Sequence, residues 1–254
     1  MKNKILIHPD LFYTGHSGSI AAREAAMILH ELGNEIAIFT HDDEDHSVAS
    51  YTYYKRIPYN WKSNYFSNSY IKSFLQVIEE FKPNYVFFIG AILNTPLVYL
   101  DLCYKNNIKT VFLFLTQDFY CARLHAGLGF NECTKCLRNS NINSFLYNCG
   151  EKQSKPFLYL LNYQINQLRF LKRMKKITFV LGSSNDQIEY YRKIGLKDSS
   201  LIKIPLFFNH KRLKHLKLKL EPYFIIIGQY RHEKGIHLIS KILNHVENGI
   251  SVKL

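Results

Sequence analysis

Short apolar runs of strand length recur along this chain, and the segments between them carry the 3.6-residue periodicity of helices. Lys109–Thr116 is apolar from Val111 to Leu115, and Tyr85–Ile89 is apolar throughout. A strand that is apolar on both faces has to be covered on both, which is the situation of a parallel strand with helices above and below. Strand and helix patterns that alternate in this way predict a doubly wound parallel sheet, Rossmann-like in its α/β layering.

The elements follow one another in order. Lys4–His8 is a first strand, and a loop through Gly15 and Gly18 leads into a helix with Ala22, Ala25, Leu29 and Leu32 on one face. Gly33 stops that helix, as a residue free to adopt a left-handed backbone does. Glu35–Thr40 is the second strand, and the aromatic, polar stretch from about 46 to 69 is expected to be a loop or an irregular hairpin. Ile71, Phe74, Leu75, Ile78 and Phe81 mark a helix that ends before Pro83. Thr95 and Pro96 suit the cap and first position of a helix ending near Asn107. After Lys109–Thr116 comes a cysteine-bearing excursion, then a helix from Pro156 to about Arg173. Ile177–Leu181, Asp186–Lys193 with Gly195 as its cap, and Leu201–Pro205 complete the series. Residues 1–208 are therefore expected to form one domain.

Between Asn209 and Glu221 the composition changes. Lys211, Arg212, Lys214, Lys217 and Lys219 alternate with Leu213, Leu216, Leu218 and Leu220, so 209–221 is expected to be a basic linker. A solvated linker and a patch touching anionic lipid headgroups are both open readings. Residues 222–254 then start a second α/β unit. Tyr223–Ile227 is an apolar strand stopping at Gly228, and Gln229 to Gly235 is a polar loop with Arg231 and Lys234. Ile236, Ile239, Ile242 and Leu243 follow at helical spacing. A strand, a glycine, a cationic loop and a helix N-terminus suit a bound phosphate, although an ordinary βα turn with solvated charges has the same layout.

Composition narrows the classes. The net charge of +13 favours an anionic partner, whether nucleic acid, acidic lipid or a phosphorylated substrate. No apolar stretch approaches the ~20 residues of a membrane span, and Ile5-Leu6-Ile7 is too short for a signal peptide. Five cysteines without an export signal suggest reduced thiols in the cytoplasm. Gly15 and Gly18 lack the G-x-G-x-x-G spacing of a dinucleotide enzyme, which argues against a dehydrogenase.

Seven short motifs in order carry a family likeness. They are His16-Ser17-Gly18-Ser19; Leu29 through Ile36; Phe81-Lys82-Pro83-Asn84-Tyr85-Val86; Thr116-Gln117-Asp118-Phe119-Tyr120-Cys121; Gly182-Ser183-Ser184 with Gly195-Leu196; Ile204-Pro205; and Gly228 through Lys234-Gly235. Together the chain resembles the GT-B glycosyltransferases of the family 4 type, usually retaining enzymes with nucleotide-sugar donors. The likeness implies an N-terminal domain on the acceptor side and the opening of a donor-binding C-terminal domain. It implies transfer of a sugar to a glycan or lipid-linked acceptor, as in polysaccharide biosynthesis, with no cofactor required for catalysis. The reduced thiols make the expected location cytoplasmic, and peripheral at the inner membrane face if the basic linker touches anionic lipid.

The same likeness assigns roles. Gly18 and Ser19 would approach the donor diphosphate with backbone N–H groups. Gln117 and Asp118 would lie beside the sugar. Gln117 stands where the family usually has histidine, and its amide can both donate and accept. The family's arginine after the first glycine is Gln229 here, with Arg231 two residues on as a substitute. Lys234 matches the family lysine and would stabilise charge on the departing diphosphate. The family's second domain runs on well past the position of Leu254, through a paired-glutamate motif that grips the donor. The 254-residue chain alone is therefore expected to be inactive.

Two other groups invite metal chemistry. Cys121, Cys133, Cys136 and Cys149 share one excursion, and Cys133-x-x-Cys136 has knuckle spacing, so a structural zinc is one reading. The outer spacings are ordinary, and unliganded or half-buried thiols are the other; Cys103 lies on an apolar helix face and is expected in the core. In His41-Asp42-Asp43-Glu44-Asp45-His46 the aspartates could chelate a divalent ion. The run is short and follows only the second strand, which favours a solvated acidic loop. Two further function classes remain at this point: a basic α/β protein that binds nucleic acid, and a transferase half completed by a partner chain. No recognised nucleic-acid motif accompanies the charge.

Overall fold

The computed structural model describes residues 2–9, 12, 17–41, 51–55, 68–90, 95–115, 121–122, 127–128, 131–132, 142–150, 155–205, 223–225, 238–239 and 251–253. The chain divides into two compact units, Met1–Asn209 and His210–Leu254.

The first unit is built on strands β1 (Lys4–Pro9), β2 (Glu35–Thr40), β3 (Thr52–Lys55), β4 (Tyr85–Gly90), β5 (Lys109–Phe114), β8 (Phe179–Gly182) and β9 (Leu201–Lys203). They form a seven-stranded sheet in the order β3-β2-β1-β4-β5-β8-β9, and every pair is parallel. Between β5 and β8, the two-residue strands β6 (Gly127–Leu128) and β7 (Asn131–Glu132) make a small antiparallel pair. The helices are α1 (Ser17–Glu31), α2 (Asn68–Phe81), α3 (Val98–Lys105), α4 (Ile142–Leu146), α5 (Pro156–Arg173) and α6 (Asn185–Lys193). This is a doubly wound, Rossmann-like α/β sheet.

Strand periodicity explains why the runs are apolar throughout. Successive residues of a strand face opposite sides. In β1, Ile5 and Ile7 join Ala22, Ala25 and Ala26 of α1 in one core, while Leu6 joins the core under α2, α3, α5 and α6. The second core is the more aromatic, with Phe74 stacked on Tyr99 at 4.1 Å and Phe88 on Phe112 at 4.6 Å. Register is set at the N-terminal edge. Asn84 donates its backbone N–H to the Lys4 carbonyl, and its side-chain oxygen accepts from the Lys4 N–H, both at 2.8 Å. That pairing holds the start of β4 beside the start of β1.

Three details differ from the sequence reading. The stretch from 46 to 69 contains β3, which lies parallel to β2 at the sheet edge with Ala37 opposite Thr52. An edge strand needs no apolar run, and β3 has exposed ends flanking two half-buried tyrosines. Helix α3 begins at Val98 with Leu97 at its cap, so Thr95 and Pro96 are not its first positions. Thr95 is buried, and an i→i−3 turn carries the chain in, with Tyr99 N–H donating to the Pro96 carbonyl at 2.9 Å. Leu32 is 72% exposed, because α1 ends at Glu31 and Leu32 already belongs to the turn through Gly33 (φ 86°) that leads into β2.

In the second unit, β10 (Tyr223–Ile225) and β11 (Ser251–Lys253) pair in parallel. A parallel pair needs a crossover of a dozen or more residues, and 226–250 is long enough to provide one.

Candidate functional site

All seven strands of the large sheet point the same way, so their C-terminal ends share one edge. Strand order reverses at β1, with β2 on one side and β4 on the other. Such a switch point opens a crevice outside the strand ends, where doubly wound sheets bind ligands. Helix α1 starts here. A Cβ placed on Gly18 would meet Leu115 Cδ1 at 3.2 Å, and Leu115 directly follows β5. The missing side chain thus lets the first turn of α1 close onto the end of β5. Ser19 is buried at 2% exposure. No acidic residue occupies the first turn of α1, so the partial positive charge of the helix end is not offset within the helix. Arg23 donates to the Phe12 carbonyl at 2.6 Å and ties the segment after β1 to α1.

On the other side of the edge, Ser184 caps α6 by accepting from the Gln187 N–H at 3.1 Å. The Gln187 side chain turns back. Its Oε1 accepts from the Ser183 N–H at 2.8 Å, and its Nε2 donates to the Phe114 carbonyl at 3.0 Å. One amide therefore fastens the β8–α6 turn to the last residue of β5. A Cβ on Gly182 would lie 2.7 Å from Ile188 Cδ1, so α6 also closes tightly on its strand. His8, next to last in β1, is 1% exposed and sits among the rings of Phe39, Phe88 and Tyr99 at 5.3 to 5.5 Å.

Gly18 and Ser19 come together with Leu115 and the Gln187 bridge at this edge. Gln117, Asp118, Gln229, Arg231 and Lys234 lie outside the described residues, as do the acidic run from Asp42 and the linker 209–221. Cys133 and Cys136 also lie outside them. Cys121 is buried in the larger core, and Cys149 is half-buried beside Leu160 and Tyr163. Among the described residues no group of three or more His, Cys, Asp or Glu side chains is placed to hold a metal ion. Cys103 is in the core, as its helix position implies, and burial pushes its thiol pKa far up, which leaves it neutral.

Arg169, Lys172, Arg173, Lys175 and Lys176 crowd the end of α5 and the turn after it, and part of this basic cluster is structural. Arg173 and Lys176 both reach Asp101 of α3, at 2.8 and 2.6 Å. Burial pushes the Asp101 carboxyl up, but the hydrogen bonds and charges of Arg173 and Lys176 outweigh it and hold the group below the usual carboxylate range. Sequence reasoning assigned nothing to Gln187 or His8. Ser184-x-x-Gln187 is a capping-box pattern and was the available signal for the first. His8 has no local signal, because its aromatic surround comes from β2, β4 and α3.

No family model matches the sequence, and no curated protein does. Solved structures do. The chain superposes on Alr3699/HepE of Anabaena, solved in complex with UDP-glucose, with a TM-score of 0.54 and 10% identity, covering 98% of this chain and 59% of that one. It superposes on apo UGT2 of Phytolacca americana with a TM-score of 0.51 and 11% identity, covering 91% and 59%. UGT2 complexed with UDP-2fluoro-glucose and pterostilbene gives 0.51 and 10%, over 90% and 60%. At these identities the likeness is one of fold. The chain spans about three fifths of the length of these structures.

Proposed function

We propose that this chain is the acceptor-side part of a GT-B glycosyltransferase of the family 4 type, together with the opening of its donor-binding unit. The observation that supports this best is the C-terminal edge of the sheet, where Gly18 lets an acid-free helix N-terminus close onto the end of β5. The fold likeness to HepE, a protein solved with UDP-glucose, points to the same class of ligand. The donor is a nucleotide-sugar and the acceptor a glycan or lipid-linked group. Reaction is with retention.

In this reading the N–H groups around Gly18 and Ser19 face the donor diphosphate, since they lie at the positive end of α1. Gln117 and Asp118 follow β5 in sequence and contact the sugar. Lys234 neutralises charge on the leaving diphosphate, with Arg231 assisting and Gln229 in the family's arginine position. Gln187 is a positioning residue. Its bridge to the Phe114 carbonyl fixes the strand end from which Gln117 departs.

The test is transfer from a panel of nucleotide-sugars, measured on the 254-residue chain and on that chain joined to a family-type C-terminal half. The expected result is turnover by the joined protein alone. In it Lys234→Ala lowers kcat by roughly a hundredfold, the scale for losing one preorganised charge stabiliser. A near-normal rate for Lys234→Ala would remove this residue from the mechanism. Robust transfer by the shorter chain would show that donor binding needs nothing beyond it.

A further inference from the structure

The edge of the sheet away from the candidate site carries a row of cations. Lys4 opens β1 and Lys109 opens β5. Lys82 sits in the turn before β4, Lys105 ends α3, and Lys175 and Lys176 lie in the turn before β8. Hydrogen bonds place these segments side by side. Asn84 donates its N–H to the Lys4 carbonyl at 2.8 Å, and its own carbonyl accepts from the Lys109 N–H at 3.1 Å. Next to Lys109, the Thr110 hydroxyl accepts at 3.2 Å from the N–H of Thr178, which closely follows Lys176. The row thus crosses the neighbouring strands β1, β4, β5 and β8, a span of about 15 Å.

Little along the row offsets this charge. Glu35 approaches Lys4 at 3.5 Å, and Asp101 is shared by Arg173 and Lys176. Lys2, Lys82, Lys105, Lys109 and Lys175 are exposed and make no ion pair among the described residues. Glu35 and Glu80 both act on Tyr54 of β3, so these acids gather on the β2–β3 flank. Single exposed lysines are ordinary, but a run of them along one rigid edge makes a fixed positive field.

The groups between the cations narrow the partner. Lys4 lies 5.4 Å from the Phe81 ring centroid, Lys109 5.5 Å from Tyr85 and Lys176 5.4 Å from Tyr104. An ammonium over each ring disfavours the stacking of bases there. Arg173 is engaged by Asp101 and the Arg169 carbonyl, so its fork is not open to a phosphate. Exposed amides stand among the lysines instead, at Asn84, Asn106 and Asn107. The Asn84 side-chain oxygen accepts from the Lys4 N–H, which leaves its NH2 to donate. The Asn106 NH2 donates to the Leu102 carbonyl, which leaves its oxygen to accept. Ammonium and amide groups together suit a chain that carries both carboxylates and hydroxyls. Among the described residues, the large apolar side chains exposed at this edge are Tyr104 and Leu32, on opposite flanks. They form no patch that could enter a bilayer or centre a protein interface.

We propose that the N-terminal edge of the sheet binds an acidic polysaccharide, a uronate-bearing glycan lying across β1, β4, β5 and β8. Its carboxylates meet Lys82, Lys109 and Lys175, and its hydroxyls meet Asn84, Asn106 and Asn107. The site is separated from the C-terminal edge by the length of six-residue strands, so it holds the glycan away from the reacting end. Binding stands on these residues alone; that the glycan is the acceptor or product of transfer rests on the transferase reading.

Binding of fluorescent hyaluronan oligosaccharides to the 254-residue chain tests it, with neutral dextran, poly-glutamate and oligo-dT as the other probes. Hyaluronan should bind tightest, its affinity should fall as salt rises, and dextran should not bind. Lys82→Glu with Lys109→Glu and Lys175→Glu should weaken hyaluronan binding by at least about tenfold, because weak attractions become repulsions. Thermal unfolding should hardly change. Asn107 has a positive φ of 55°, which glycine adopts freely. Asn107→Gly should therefore keep the fold and weaken hyaluronan binding roughly threefold, the scale of one hydrogen bond. It should leave poly-glutamate binding unchanged, since that polymer has no hydroxyls to lose. An unaffected triple variant would overturn the proposal, as would loss of binding only when Lys217 and Lys219 of the linker are changed. Tighter binding of oligo-dT would overturn it by assigning the edge to nucleic acid. Equal binding of poly-glutamate would overturn it by assigning the edge to an acidic protein segment. None of these outcomes bears on the transferase assay above, which measures turnover, and failure of that assay leaves the binding result standing.

Discussion

The two halves of α5 are one continuous helix held in different ways. Near its C-terminus, Phe170 is fully buried between Phe114 and the rest of the larger core, Met174 follows it, and Arg173 is tied to Asp101. Near its N-terminus, Leu160 and Tyr163 rest on a cluster of a few side chains, and the facing leucines meet solvent. The helical pattern is unbroken across both. What differs is whether a sheet lies underneath, so amphipathicity within one helix need not have the same purpose along its length. Where the sheet ends, the inner face of the helix is covered by the smaller cluster instead.

Substitutions along α5 can break that comparison. Phe170→Ala should have the largest effect, a loss of about 3–5 kcal/mol in denaturant unfolding, because it empties the centre of the larger core. Leu160→Ala should cost less, about 2 kcal/mol, since its smaller cluster can collapse more easily. If the two losses are equal, the N-terminal half is as firmly held as the other and the contrast fails. Asp101→Asn should cost about 1 kcal/mol near neutral pH, in keeping with partly exposed ion pairs. The sign of its pH dependence follows from its lowered pKa. The stabilisation is complete above the unfolded carboxylate pKa of about 4 and is lost as pH falls through the lower folded value. The gap between wild type and Asp101→Asn should therefore close in acid, and a gap that widens there would contradict the pairing. Phe157→Ala should change stability by no more than about 0.5 kcal/mol, because the side chain is mostly in solvent already. Amide exchange sharpens the picture further: protection should be lower over 156–163 than over 167–173.

Much of the sheet was legible because its strands are apolar on both faces and its helices carry clear stops. Gly33 and Gly195 both adopt positive φ, at 86° and 95°, as helix-ending glycines do. Pro83 follows the end of α2, and the buried face of that helix includes Phe74, Ile78 and Phe81 as its spacing implies. β3 was not legible. It is an edge strand of mixed composition, and only its pairing with β2 makes it a strand. The start of α3 was misplaced because Thr95 and Pro96 have the chemistry of a cap, whereas burial of Thr95 took that side chain elsewhere.

At the candidate site the division has the same physical origin. Residue type and local order were enough to single out Gly18 and Ser19 before a helix, since a glycine there removes a steric barrier whatever surrounds it. They also sufficed to identify α5 as a helix from Pro156 to Arg173, because periodicity and a proline at its first turn are local properties. That Gly18 faces Leu115, that Gln187 bridges to Phe114, and that His8 lies among three aromatic rings depend on contacts between strands far apart in sequence. The exposure of Leu158, Leu161 and Leu168 depends likewise on which face of α5 its neighbours cover. Local patterns determine which segments become strands and helices. Tertiary packing determined which of their faces are covered, because burial belongs to the neighbours a residue meets and not to the residue itself.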